Sequence, residues 1–402
     1  MLKTPCPFSQ RKRWALSKPT SSLILIFILT NNLLTPPGPV HALTYSASPS
    51  TYILSGSSDR SIRLYNPTNA TLPPLSSSSY ITKSTSSTPS IPISTPIQTY
   101  TSHAYAVLSI AVSRSNAHFV SSGGDRAVLL WDVSTAQTIR RFGASSIAHS
   151  HTGRVNAVLF AGDTVENQND AVAENLVVSA GVDATVRLWD VRSSNPKPIQ
   201  ILNEARDAVT CLAVHGPAIL AGSVDGRLRT YDVRMGKCIA DTMPAAVTSV
   251  CVSRDGRTVL VGTLDSKMRV LDRGEGICLR TFPGQNGGED GAWRNEELRV
   301  QSVFGGGERW VVVGDEMTGA GEVNFSNGEG RVWAWDLLTG KLVAKVNVPW
   351  GAGETGKKAI GRDGKEKERK NVVSCIAWKE SGFGDQFCVG GTSSVVTVFG
   401  ER

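Results

Sequence analysis

Paired cysteines, long apolar runs and catalytic signatures are all missing from this sequence, and each absence removes a class of function. The seven cysteines, Cys6, Cys211, Cys238, Cys251, Cys278, Cys375 and Cys388, are scattered and odd in number, with no C-x-x-C pair. Neither a zinc site nor a dithiol redox motif is signalled; the cysteines read as small buried hydrophobes of a reducing compartment. The longest apolar run, Leu23 to Leu29, is ended by Thr30, Asn31 and Asn32. A membrane helix needs about 20 apolar residues, so this run cannot cross a bilayer. No G-x-S-x-G, P-loop or H-E-x-x-H occurs, and we expect no enzyme, cofactor, metal or small-molecule substrate. Charged residues make up only 19%, with a net charge of +7. That balance permits an acidic protein partner or direct RNA contact without arguing for a dedicated nucleic-acid binder.

What the sequence has in quantity is glycine, 39 residues, which favours turns and short strands over long helices. It also repeats itself. "SGSSDRSIRLYN", "SSGGDRAVLLWD", "SAGVDATVRLWD", "AGSVDGRLRTYD" and "VGTLDSKMRVLD" are one motif, with aspartates Asp59, Asp125, Asp183, Asp225 and Asp265. Six residues after each aspartate stands Tyr65, Trp131, Trp189, Tyr231 or Leu271. A sixth copy, "SNGEGRVWAWD", places Glu329 and Trp335 at these positions, and a degenerate seventh, "GGTSSVVTVFG", closes the series. Each copy reads as strand, tight turn, strand, with Gly and Asp supplying the turn and apolar alternation the strands. Another alternating segment precedes each copy ("VLSIAVS", "VNAVLFA", "VTCLAVH") and a fourth follows ("IRRFG", "CLRTF"). Seven sets of four short antiparallel strands predict a single all-β, seven-bladed β-propeller.

These repeats resemble WD repeats from about residue 36 to residue 402. The resemblance implies a hydrogen-bonded tetrad of His, Ser or Thr, Asp and Trp within a blade. Blade 2 supplies His103, Ser121, Asp125 and Trp131, and blade 3 supplies His151, Ser179, Asp183 and Trp189. The tetrad also explains why Ser, His and Asp occur together without a nucleophile's oxyanion donors. Blade 1 keeps Ser55 and Asp59 but has Tyr65 and no histidine; blades 4 and 5 have Ala221 and Val261 where the hydroxyl is expected. Residues 203–241, with "EARD" and "YDVRMG", are similar to blade 4 of an intracellular WD-repeat scaffold type associated with kinase cascades and spliceosomes. The resemblance implies a non-catalytic scaffold of cytoplasm and nucleus, with kinase-cascade components or splicing factors as partners. The alternative is a secreted or other WD-repeat adaptor, such as a ubiquitin-ligase substrate receptor.

Extra chain is expected at 68–98 (rich in Ser, Thr and Pro), 162–175, 284–296, 317–328 and 351–370. The first reads as a tolerated surface insertion or as a partner-binding loop. From Lys357 to Lys370 there are seven basic and three acidic residues. Together with Arg60, Arg126, Arg154, Arg206 and Tyr105, this stretch falls at the narrow face of the disc, the candidate partner-binding face. Ordinary solvated turn charge is the competing reading for each arginine taken singly. At the N-terminus, a basic segment, a short apolar core and "VHA" at Ala42 fit a secretory signal. The other reading is that residues 1–27 form a disordered extension and residues 28–402 the propeller. A few residues between Ile28 and Thr35 would then pair with Val395 to Phe399 and close the ring.

Overall fold

Alternating apolar residues bounded by Gly, Asp and Ser turns produce short strands. A strand buried on both sides must find neighbours on both sides. In the second and third strands of blade 1, Ile53–Ser57 and Ser61–Tyr65, every residue is buried. The outer strand of blade 4, Lys237–Thr242, is almost wholly exposed. Each blade is therefore sandwiched between two others, with its outermost strand at the rim. The computed structural model describes residues 27–33, 38–69, 92–143, 148–161, 175–282, 293–316, 330–350, 358–360, 366–368, 371–379 and 385–401. Within them lie seven antiparallel sheets of a seven-bladed propeller, with one 3-10 turn, Pro67–Asn69, and no α-helix. The inner strands are Val40–Tyr45, Val107–Val112, Val155–Ala161, Val209–His215, Val247–Val252, Ser302–Gly305 and Val373–Trp378.

The core is divided into seven apolar clusters, each shared by two consecutive blades. The cluster between blades 7 and 1 unites Cys388, Val396 and Val398 with Val40, Ile53 and Tyr65, so the ring is closed. Its closure is covalently remote: Phe27–Leu33 pairs antiparallel with Val396–Glu401, from Phe27 opposite Glu401 to Leu33 opposite Val396. Leu33 is fully buried in that same cluster. The closing strand thus begins at Phe27, one residue inside the stretch assigned to the extension, and draws on the end of the apolar run. Ile93–Ser94, from the far end of the blade 1 insertion, adds a parallel fifth strand against Asn32 and Leu33.

The insertions at 162–174 and 317–328, and residues 70–91 of the first, lie outside the described residues, as do residues 1–26. Within 351–370, Lys358–Ile360 and Glu366–Glu368 form a hairpin. Residues 284–296 are not all insertion. Trp293 and Asn295 are buried, and the Trp293 Nε1–H donates to Gly314 O at 2.8 Å. The segment has no regular secondary structure, yet the ring and its donor tie it into the core between blades 5 and 6. The cysteine reading also needs correcting. Cys211, Cys375 and Cys388 are buried, but Cys238 and Cys278 lie exposed on outer strands.

One irregularity recurs. Six inner strands carry a β-bulge at the same place, after Val40, Val107, Val155, Val209, Val247 and Val373. A bulge inserts one residue and re-aims its side chain. Here three of the inserted residues reach the next blade: Asn156 Nδ2 donates to Val209 O at 2.7 Å, Thr210 Oγ1 to Val247 O at 2.6 Å, and Ser374 Oγ to Val40 O at 3.4 Å.

Candidate protein-interaction face

The connections between blades and the turns between second and third strands emerge on the same side. One backbone hydrogen bond joins them in blade after blade: Ser58 N–H to Pro39 O, Gly124 N–H to Ala106 O, Val182 N–H to Arg154 O, and Val224 N–H to Ala208 O. This is the narrow face, and buried polar clusters stiffen it from beneath.

In blade 2, His103 Nδ1 lies 2.8 Å from Asp125 Oδ2 and Nε2 lies 2.7 Å from Ser121 Oγ; Trp131 Nε1 donates to the same Oγ at 2.8 Å. Blade 3 repeats this with His151 Nδ1 2.9 Å from Asp183, Nε2 2.8 Å from Ser179 Oγ, and Trp189 Nε1 donating at 2.8 Å. With Nδ1–H donating to the carboxylate, Nε2 accepts the serine proton and the serine oxygen accepts the indole N–H, so every member is satisfied by a neutral imidazole. Those hydroxyls are occupied at both ends, which leaves neither as a free nucleophile.

Blades 1, 4 and 5 hold their aspartates differently. The hydroxyl comes from two residues further along the second strand, on the same face because strand period is two: Ser57, Ser223 and Thr263 each donate to Asp59, Asp225 and Asp265. Ser57, not Ser55, serves blade 1. An arginine on the third strand supplies the positive charge. Arg63 Nη2 donates to Asp59 at 2.7 Å and Arg229 Nη2 to Asp225 at 2.6 Å, and Arg269 pairs with Asp265 in the same way. Blade 6 departs again, with Trp333 Nε1 donating to the buried Asp315 at 2.8 Å while Trp335 stacks on Trp333. Asp315, just past the second strand Trp310–Gly314, is thus the acidic group of this cluster, and Glu329 lies outside the described residues.

These contacts set protonation. Burial raises the Asp183 carboxyl, but hydrogen bonds from His151, Thr185 and the Thr152 N–H outweigh it and hold it at about 2. Asp59 and Asp225 are also held at about 2, burial again being outweighed, by Arg63 with Ser57 and Ser61 in one and by Arg229 with Ser223 in the other. Burial lowers His151 below 6.5, although Asp183 opposes the shift. A histidine whose folded value is depressed favours the unfolded chain once the pH falls below its unfolded value. The carboxylates contribute fully above about 3.8 and lose that contribution as the pH falls through about 2. We therefore expect a level melting temperature above pH 7, a decline starting near pH 6.5, and a steeper loss below pH 4. Thermal melts from pH 8 to 3 check this, and a flat profile between pH 7 and 4 would refute it.

Of the candidate partner-binding residues, Arg60, Arg126, Arg154, Arg206 and Tyr105 are all exposed, Tyr105 to 65%. Arg60 and Arg126 occupy left-handed turn positions with φ of 73° and 62°. Ala184, Ser266 and Gly226 take the same conformation in other turns, so the turn demands the φ and not the arginine. None of the four guanidiniums joins the ion pairs found among the described residues. The side chains of the 358–368 hairpin lie outside the described residues. On the opposite face the channel opens into a cavity of about 930 Å³ lined by Tyr45, Ile110, Leu159, Val303 and Trp378. Among the described residues no cluster of His, Cys, Asp and Glu could hold a metal ion.

Comparison with known proteins agrees with this architecture. The family described as "WD domain, G-beta repeat" matches residues 30–66, 94–132, 144–190 and 236–272. WD repeat domain-containing protein 83 homolog of Dictyostelium discoideum is 24% identical over 326 residues, covering 74% of this chain and 81% of that protein. WD repeat domain-containing protein 83 of Rattus norvegicus is 33% identical over 157 residues, covering 39% of this chain and 44% of that protein. Its Xenopus tropicalis counterpart is 48% identical over 59 residues, 15% of this chain and 19% of that protein. With four stretches matching the WD-repeat description on a closed ring of seven blades, the fold of this chain is a seven-bladed β-propeller carrying WD repeats.

Proposed function

We propose that the chain is a non-catalytic scaffold that binds proteins on its narrow face, and that its partners are kinase-cascade components or splicing factors. WD repeats imply a protein-interaction scaffold. The finer reading rests on similarity to the mitogen-activated protein kinase organizer in blade 4 and on alignment with a WD repeat domain-containing protein 83 homolog over 81% of its length. The observation that carries the choice of face is the set of exposed arginines with no ion pair among the described residues, Arg60, Arg126, Arg154 and Arg206. An unpaired surface charge retains its field for a partner of opposite sign and steers encounter.

We place the protein in cytoplasm and nucleus. A secretory cleavage after Ala42 would cut the inner strand Val40–Tyr45 and discard the closing strand Phe27–Leu33, which argues against that route.

Affinity purification with mass spectrometry tests the partner class: splicing factors alone or kinases alone would choose between the two roles. Charge reversal of Arg60, Arg126 and Arg206 to Glu should cut recovery of those partners by at least about tenfold. The melting temperature should stay within about 2 °C, because exposed charges contribute little to stability. Recovery that instead depends on the insertion at 68–98 would overturn the narrow-face site.

A further inference from the structure

Among the described residues, the strands that wall the central channel bring no negative charge to it. The seven inner strands carry no aspartate or glutamate. At their narrow-face end, Arg299 leaves the connection into blade 6 and crosses the ring, its Nη1–H donating to Asn156 O of blade 3 at 2.8 Å. Its Nε is buried and has no hydrogen-bond partner among the described residues, and no ion pair joins Arg299 to a carboxylate there. The neighbouring basic groups aggravate the imbalance. Burial, with Arg154 adding to it, weakens the hold of Arg299 on its proton, and burial followed by Arg299 lowers His41. A guanidinium stays charged under such pressure; Arg299 is half-buried with its Nε fully buried, and holding that charge without a counter-charge among the described residues is costly.

The geometry points to an oxyanion site at the narrow-face mouth of the channel, filled by a carboxylate side chain of an acidic peptide on a partner protein. With Nη1 committed to Asn156, the edge of the guanidinium formed by Nε–H and Nη2–H remains, and that edge matches the two oxygens of a carboxylate. A small rotation of the side chain is required, since Nε lies below the reach of water. Arg154, exposed on the connection into blade 3, draws the acidic segment in, and the carboxylate-free lining offers it no competitor. Arg299 would thus read one acidic residue at depth while the rim arginines meet the surrounding segment. The inference rests on the narrow-face reading above and adds to it the chemistry of what enters.

The test uses the full chain and a fluorescently labelled peptide of six glutamates, followed by anisotropy. Wild type should bind it saturably. Arg299→Met should weaken binding by about tenfold, equivalent to ~1.4 kcal/mol, at a melting temperature no lower than that of wild type, since it removes an uncompensated charge. Arg299→Lys, which keeps charge and length but not the fork, should lose about threefold or more, and it stands in if Arg299→Met does not fold. Inorganic phosphate should displace the peptide from wild type, showing that an oxyanion is what the site reads. Equal affinities for wild type and both Arg299 variants, or no saturable binding to wild type, would overturn the channel site. Partner recovery that still falls on reversal of Arg60, Arg126 and Arg206 would then leave the narrow-face reading in place.

Discussion

A fragment beginning at residue 37 should fail to form a stable monomeric ring, whereas one beginning at residue 23 should melt with the full chain. The longer fragment keeps Phe27–Leu33; the shorter loses every pair with Val396–Glu401. It also loses Leu33, which is fully buried between blades 7 and 1. Removing one such side chain costs about 2–5 kcal/mol, before the broken strand pairing is counted. The edge of Val396–Glu401 would stand unpaired and open to other copies, so aggregation should accompany the drop in melting temperature. Size-exclusion chromatography with thermal melts reads both effects. A monomeric 37–402 fragment melting with the full chain would show that the closing strand is dispensable.

The next largest effect is expected at the tetrad tryptophans. Trp131 and Trp189 are each 1% exposed, and each donates to a serine that also serves a histidine. Truncation to Ala should cost about 3–5 kcal/mol and also strip the serine of its donor. Leu271 holds the equivalent place in blade 5, also buried but outside that blade's polar cluster. Leu271→Ala should therefore cost less than Trp131→Ala or Trp189→Ala. Trp189→Phe keeps an aromatic ring but loses the N–H together with part of the indole's volume, so a loss between wild type and Trp189→Ala, about 1–3 kcal/mol, is expected. Chemical denaturation of the four variants measures the series, and equal losses for all three alanine variants would mean the tetrads add nothing.

How far the sequence exposed all this depended on the distance over which each signal acts. Blade number was legible because five repeats restate Asp and, six residues on, an aromatic or aliphatic residue within one hairpin, and the other two keep the strand alternation. The tetrads could be read because the resemblance named the residue types to look for. The arginine clusters of blades 1, 4 and 5 were missed, although their signal is local. Ser57-x-Asp59-x-x-x-Arg63, Ser223-x-Asp225-x-x-x-Arg229 and Thr263-x-Asp265-x-x-x-Arg269 share one spacing. Attention to the missing hydroxyl at Ala221 and Val261 hid its reappearance two residues later. The burial of Trp293 had no periodic signal, because it lies in irregular chain beside a glycine-rich, charged stretch. Arg299 had no local signal at all, since its partner Asn156 is 143 residues away and only ring geometry brings the two together.

Ring closure has a consequence for the chain as it is made. Phe27–Leu33 leaves the ribosome first, and its partner Val396–Glu401 follows roughly 360 residues later. At a synthesis rate of about 5–20 residues per second, the first strand waits about 20–70 s for its mate. During that wait five inter-blade clusters can assemble in order, each from neighbouring sequence, whereas the cluster between blades 6 and 7 still needs Phe399 and that between blades 7 and 1 needs Val396 and Val398. The nascent protein is therefore an open arc with two sticky ends, and its last step joins the most distant segments in the sequence. Contacts of such separation are the slowest to form. The interval before they form is when this protein is most in need of a chaperone.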